Sequence, residues 1–202
     1  MSTITIVSLV LLALVGGLAL SWYNLLVRGR NQVREAWSGV EVQLRRRASL
    51  IPNIVEAVRG YAQHERQTFD EVTRARGALQ QAATAAETGA ANQALGQALG
   101  RLMLVAENYP ELRASDNFRH LHEELSDTEE KISFARQFYN RNVLDYNNRI
   151  DVFPTLLIAR LFDFRSVEFF EADEEGKQEV RVAFGPQTTV TSSPPAPPTP
   201  TT

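Results

Sequence analysis

The sequence predicts an all-α protein: an N-terminal transmembrane helix followed by an antiparallel four-helix bundle. Three observations predict it. The first is an uncharged opening stretch, ITIVSLVLLALVGGLAL, at residues 4–20. The second is the recurrence of apolar residues three and four positions apart over most of the span from Val33 to Phe153, the period of one helix face. The third is the placement of the breakers. Pro52, a small-residue stretch around Gly89, and Pro110 divide that span into four runs whose short connections favour antiparallel neighbours.

The opening stretch reads as a membrane span. Apolar character continues through SWYNLLV to Val27. A helix over residues 4–26 is about 35 Å long at ~1.5 Å per residue, against a hydrocarbon core of about 30 Å. Trp22 and Tyr23 fall where an interfacial aromatic belt belongs, and Arg28, Arg30 and Arg34 follow at once. The positive-inside rule then expects a single-pass protein of the inner membrane, its N-terminus outside and its body cytoplasmic. A cleaved signal peptide carries a basic segment ahead of a shorter apolar run. This sequence shows neither feature, so the expectation is a retained anchor over residues 1–27.

The body is expected over residues 28–172. Its first helix carries Val33, Trp37, Val40 and Leu44. The second carries Ile54, Val58, Tyr61, Phe69, Val72 and Leu79. Pro52 stands between them, and proline inside a helix removes a hydrogen bond and clashes with the preceding turn, at a cost of ~3 kcal/mol. In a first turn the missing donor is not needed. Ser49, or Asn53 with Glu56, offers an N-cap, so the chain is expected to turn near residues 48–53, the alternative being one kinked helix to about residue 84. A second turn is expected over Ala82 to Asn92, broken at Gly89. The third helix carries Leu95, Leu99, Leu102, Ala106 and Tyr109 and stops at Pro110. The fourth begins at a Ser115 or Asp116 cap, carries Phe118, Leu121, Leu125, Ile132, Ala135, Phe138, Tyr146, Ile150 and Phe153, and stops before Pro154.

With that alternation the fourth helix returns to the bilayer and delivers residues 153–170 there. Leu156, Leu157, Ile158, Leu161, Phe162, Phe164, Phe169 and Phe170, with Arg160 and Arg165 between them, make an amphipathic segment that either caps the base of the bundle or meets lipid. Beyond it, an acidic and Pro/Thr-rich tail over residues 173–202 holds six of the nine prolines and is expected to be disordered. RVAF (residues 181–184) fits a short strand or a docking segment.

Little in the sequence carries chemistry. There is no cysteine, and a net charge of −3 gives no field for nucleic acid. His64-Glu65 opens like a zinc-protease signature, but residue 68 is Thr where a second ligand belongs. His120 and His122 lie about 200° apart round a helix and cannot converge on one ion. No glycine-rich phosphate loop appears. The expectation is therefore no enzyme, no cofactor, no metal, no nucleic acid and no small-molecule substrate. Arg45, Arg46 and Arg47 likewise spread round the helix. Arg47, three residues past Leu44, is the one expected to be buried against a carboxylate, Glu56 or one on the fourth helix, or else to contact a partner.

The segments YNLLVRGRNQVREAWSGVEVQLRRRASLIPNIVEAVRGYAQHE, LGQALGRLMLVAENYPELRASDNFRHLHEELSDTEEKISFARQFYNRNVLDYNNRI and FPTLLIARLFDFRSVEFFEA resemble the LemA family of bacterial membrane proteins, from about Tyr23 to Ala172. LIPN (Leu50 to Asn53), ENYP (Glu107 to Pro110, with Tyr109) and ARQFYN (Ala135 to Asn140) stand at landmarks of that family. The resemblance implies one N-terminal transmembrane helix and an antiparallel helical bundle, with no catalytic residue. Family relatives include magnetosome membrane proteins, which implies membrane organisation. Asp163 departs from the pattern, because the family usually has glycine between the phenylalanines of LFDF. The functional expectation is a membrane-anchored scaffold in contact with lipid, self-associating as a homo-oligomer. The alternative is an adaptor for a protein partner such as an envelope-stress component or a membrane protease.

Overall fold

The computed structural model describes residues 2–170, and they are helical apart from turns and a final extended segment; no strand occurs among them. The chain divides into two units, Met1–Ala172 and Asp173–Thr202. The expected tail and the RVAF segment lie outside the described residues. In order the helices are α1 (Thr3–Arg59), α2 (Arg66–Gln81), α3 (Ala85–Glu107), α4 (Pro110–Ala114), α5 (Asp116–Asp151) and α6 (Thr155–Leu161).

α1 runs unbroken for 57 residues, about 85 Å at ~1.5 Å per residue. Its first part is long and apolar enough to cross a membrane, with a mean hydropathy of 2.5 over the most apolar stretch and none of that stretch buried. Burial begins further on: Leu26, Gly29, Val33, Ala36, Val40, Leu44 and Arg47 form one stripe at alternating three- and four-residue steps. Phe118, Leu121, Leu125, Thr128 and Ile132, then Tyr139, Val143, Tyr146 and Ile150, do the same on α5. The two stripes face each other antiparallel, as the pairs Gly29–Tyr146, Trp37–Tyr139 and Arg47–Glu129 establish. A Cβ on Gly29 would lie 3.2 Å from the Tyr146 ring, so this glycine sets how closely the helices approach.

The expected turn at residues 48–53 does not occur. α1 continues through Pro52 as one helix, and the chain reverses instead at residues 60–65. Residues Ile54 and Val58, assigned from sequence to a second helix, therefore belong to the first. The reason is tertiary. Pro52 has no N–H to give the carbonyl of Ala48, one turn earlier. Arg76 on α2 supplies the donor, its Nε lying 3.0 Å from that oxygen. Pro52 itself sits on the exposed side. Ser49 and Asn53 are helical rather than capping, and the Ser49 hydroxyl donates to the Arg46 carbonyl at 2.7 Å.

The second expected turn is also shorter than expected. Thr84 caps α3, accepting from the Glu87 N–H at 3.2 Å while the Glu87 carboxylate accepts from the Thr84 N–H at 3.2 Å. Gly89 is thus buried inside α3 and breaks nothing. α2 and α3 form an antiparallel hairpin, bridged by Glu71–Arg101 at 2.8 Å. α4 occupies the connection that follows, with Pro110 at its start, where the missing donor costs nothing. Ser115 precedes α5 as the sequence expects. α5 ends before Pro154, and the Thr155 hydroxyl donates to the carbonyls of Arg149 and Val152, closing its C-terminus. Three residues assigned to the core from sequence face outward: Tyr61, Phe138 and Phe153.

Candidate functional site

Three places gather the residues the sequence singled out. The first is the end of the body next to the apolar part of α1. α6 packs on both α1 and α5 through Thr155, Ile158 and Ala159. Tyr23 meets the rings of Phe162 and Phe164 edge-on, at 4.9 and 5.7 Å. Arg30 lies over Phe164, 5.1 Å from the ring centre. Phe164 is buried, and Trp22 and Tyr23 are half-buried against the core. The other side of this base is uncovered: Phe153 and Leu161 are each 74% exposed, and Val152, Leu157 and Phe162 join them. Arg28, Arg160 and Arg165 are exposed.

Asp163 follows α6 with φ 52°, in the left-handed region. The Phe164 N–H returns to the Ala159 carbonyl at 2.9 Å, the bond that closes a helix through a left-handed residue. Glycine takes that conformation without strain, a physical reason for the glycine that the resemblance places here. The aspartate is held by a two-pronged contact with Arg165, at 3.1 and 2.9 Å, which keeps its carboxyl below the usual range. The charge it adds to the base is therefore paired.

The second place is Arg47, 3% exposed. Its Nη1 donates to Asn92 Oδ1 on α3 at 2.5 Å, and its Nη2 meets Glu129 on α5 at 2.8 Å; Glu56 is not its partner. Gly96 leaves room beside the guanidinium. Burial lowers the Arg47 pKa and Glu129 works against that. One buried cation thus ties three helices together. Arg45 pairs with Glu41 at 2.8 Å, and Arg46 reaches Asp127 only at 3.9 Å. Asn53 lies on an exposed shallow groove beside Glu56, Ala57, Asn117 and Leu121, and Tyr109 and Pro110 mark the start of α4. The structure does not bring these last three to the base or to Arg47.

The third place escaped the sequence reading. After α6 the chain runs extended along α5, and two asparagines seven residues apart hold its backbone. Asn147 accepts from the Val167 N–H and donates to the Val167 carbonyl, both at 2.9 Å. Asn140 does the same for Phe170, at 2.9 and 3.0 Å. The Tyr139 hydroxyl donates to the Glu168 carbonyl at 2.8 Å, and burial raises its pKa, with Glu168 adding to the rise. Phe170 is buried near Trp37. The last two residues of the ARQFYN landmark, Tyr139 and Asn140, hold this strap. Side chains pairing with a backbone leave no apolar period, so pattern reading gives no cue to them.

Chemistry is sparse among the described residues. No group of three His, Asp or Glu is placed to hold a metal ion. The groove of about 380 Å³ between α1 and the α2–α3 turn contains Arg45 and Arg76, both already engaged, with Glu41 and Ala48.

The LemA family model matches residues 36–184. Magnetosome protein MamQ of Magnetospirillum gryphiswaldense is 27% identical over 180 residues, covering 76% of this chain and 66% of that protein. Magnetosome protein MamQ 2 of Paramagnetospirillum magneticum is 26% identical with the same coverage. Protein LemA of Metamycoplasma hominis is 25% identical over 158 residues, covering 78% of this chain and 72% of that protein. The matched region is thus just under two thirds of the length of the magnetosome relatives.

Proposed function

The chain belongs to the LemA family, and from that premise we propose a membrane-anchored structural protein, without catalysis, that self-associates and organises the bilayer holding it. The observation that carries this reading is the continuity of α1: one helix supplies both the exposed apolar stretch and the spine of the packed body. The two antiparallel pairs, α1 with α5 and α2 with α3, act as one antiparallel four-helix bundle, an arrangement supported by Arg47 bridging α1, α3 and α5 and by Arg76 joining α2 to α1. Arg28, Arg30 and Arg34 keep the body on the cytoplasmic side of the inner membrane. Trp22, Tyr23 and the uncovered apolar side of α6 rest at the lipid interface, where aromatic and leucine side chains gain by leaving water while Arg28 and Arg160 meet headgroups. Two of the relatives are magnetosome proteins by name, and we take that likeness as support for an organising role over an adaptor role.

The test is to image the purified full-length protein in lipid vesicles. Clustered, evenly spaced bodies with altered local curvature are expected. Isolated bodies on undeformed vesicles, together with stoichiometric capture of a second protein, would overturn the scaffold in favour of an adaptor. The interface has its own readout, because the chain contains no cysteine. A single environment-sensitive dye at Leu157→Cys or Leu161→Cys is expected to be quenched by headgroup-level spin labels, and a dye at Gln63→Cys, in the turn at the other end of α1, is not.

A further inference from the structure

One face of the body is open where a packed face would be expected. α2 and α3 pack beside Leu44, Arg47 and Ala48 of α1, and the strap follows Asn140 and Asn147 of α5. On the opposite side a groove of about 720 Å³ runs between α1 and α5. Its floor on α1 is made of Ala36 and Gly39, and a Cβ built on Gly39 would touch nothing within 4 Å. Its wall on α5 is a ridge of two aromatic rings one turn apart, Phe134 (73% exposed) and Phe138 (51%), with Val42 (57%) beside the floor on α1. Sequence periodicity assigned Phe138 to the core; it stands instead on this ridge.

We infer that this face is a contact between two copies of the chain, related by a twofold axis along the bilayer normal. The inference rests on the membrane-anchored, self-associating reading above and names its surface. Chains inserted in one orientation can meet symmetrically as pairs only about such an axis, so each residue faces a residue at its own height above the bilayer. A twofold contact also exchanges the two helices, bringing α1 of one copy against α5 of the other. The heights follow from the pairing inside one chain. The register of Gly29–Tyr146, Trp37–Tyr139 and Arg47–Glu129 puts Val42 level with Phe134, and Gly39 between the levels of Phe134 and Phe138. The aromatic ridge of each copy is therefore opposite the small-residue floor of the other, which is a self-complementary shape.

Charge follows the same register. Glu35 is level with Arg141, and Arg46 with Glu130, so both pairs meet with opposite sign across the axis. Glu35 and Arg141 have no ion-pair partner among the described residues, and Arg46 has only the 3.9 Å contact with Asp127. Asp127 and Lys131, which also border the groove, neutralise each other at 2.8 Å. A second copy of this chain thus fits the face in shape, height and sign together.

The experiment uses full-length protein in detergent and in lipid nanodiscs, with association read by sedimentation and by single-molecule photobleaching. Wild type is expected to be dimeric. Glu35→Arg and Arg141→Glu, each alone, are expected to weaken dimerisation about tenfold, because the symmetry turns two weak attractions into repulsions at once. Mixing the two variants is expected to restore dimers composed of one of each, since every introduced charge then meets its opposite in the other chain. A contact within one chain cannot give that result, because within each variant the two charges remain alike. Phe134→Ser with Phe138→Ser is expected to abolish pairing while leaving helix content unchanged. Wild-type association that both charge variants retain, with no preference for the mixed pair, would remove this face and leave self-association standing. A wild type that is monomeric at every density in the bilayer would remove the self-association reading, and this inference with it.

Discussion

Replacing Pro52 should change what Arg76 contributes to stability, and the size of that change can be worked from the structure. In a regular helix the Ala48 carbonyl would accept from residue 52. Here it accepts from Arg76 Nε at 3.0 Å, across 28 residues of sequence. A hydrogen bond involving a charged group contributes about 1.5–3 kcal/mol, and a partly buried carbonyl left without a donor costs about 1–3 kcal/mol. Arg76→Met, which keeps the aliphatic stem, is therefore expected to destabilise the protein by about 2 kcal/mol. Pro52→Ala restores the main-chain donor and removes the ring clash, so it is expected to stabilise α1 by about 1–3 kcal/mol. In the Pro52→Ala background the carbonyl is satisfied within the helix, and Arg76→Met should then cost less than about 0.5 kcal/mol. The double-mutant cycle thus predicts a coupling of about 1.5 kcal/mol between residues in different helices that share one acceptor. Urea unfolding of the full chain in detergent, followed by far-ultraviolet circular dichroism, measures all four corners. Equal costs for Arg76→Met in both backgrounds would refute the argument that the arginine stands in for the missing N–H.

Other outcomes are expected from the same structure. Glu129→Ala should cost about 2–4 kcal/mol in unfolding experiments, because it strands a buried guanidinium; Arg47→Met should cost less, because Glu129 can return to water and only Asn92 is left wanting a donor. Asp163→Gly should raise the melting temperature slightly, because relief of the left-handed backbone at φ 52° outweighs loss of the exposed pair with Arg165. Because Lys131 and Arg165 lower the carboxyl pKa values of Asp127 and Asp163, the stability these residues contribute is present above about pH 4 and is lost as pH falls through the lowered values. Burial raises the phenol pKa of Tyr139 and Tyr146, so the opposite sign holds at the alkaline end. Stability should fall as pH rises above about 10, and Tyr139→Phe should reduce the steepness of that fall in a pH series of unfolding curves. Asn147→Leu should free the strap, read as faster amide exchange or protease cleavage at residues 162–170 with little change in α5 itself.

The parts of the fold that are legible in the sequence are those whose causes are local. The stripe on α5, the Ser115 boundary, the stop before Pro154 and the apolar start of α1 each follow from residues within a turn or two of where they act. The Pro52 reading failed because the compensating donor comes from another helix, and no window around residue 52 contains Arg76. The turn before α3 was placed too broadly for a different reason. The cue was present, since Thr84 and Glu87 have capping-box spacing, but the alanines and Gly89 around them read as a linker. Phe138 shows the limit of periodicity. A large apolar residue near the expected step is counted as core, although that register on α5 turns outward into the open groove. The strap was illegible in kind, because asparagines that bind backbone are indifferent to the sequence they hold.

The uninterrupted α1 also has a mechanical meaning. About 50 Å of it, at ~1.5 Å per residue, extends beyond the apolar stretch, stiffened by neighbours along its side, with no break in the helix where the apolar stretch ends. Such a mast transmits tilt. When lipid thickness changes, a spanning helix leans to match it, and a lean of about ten degrees would swing the far end sideways by about 9 Å. Copies associated as proposed above would then feel one another's inclination through their tips.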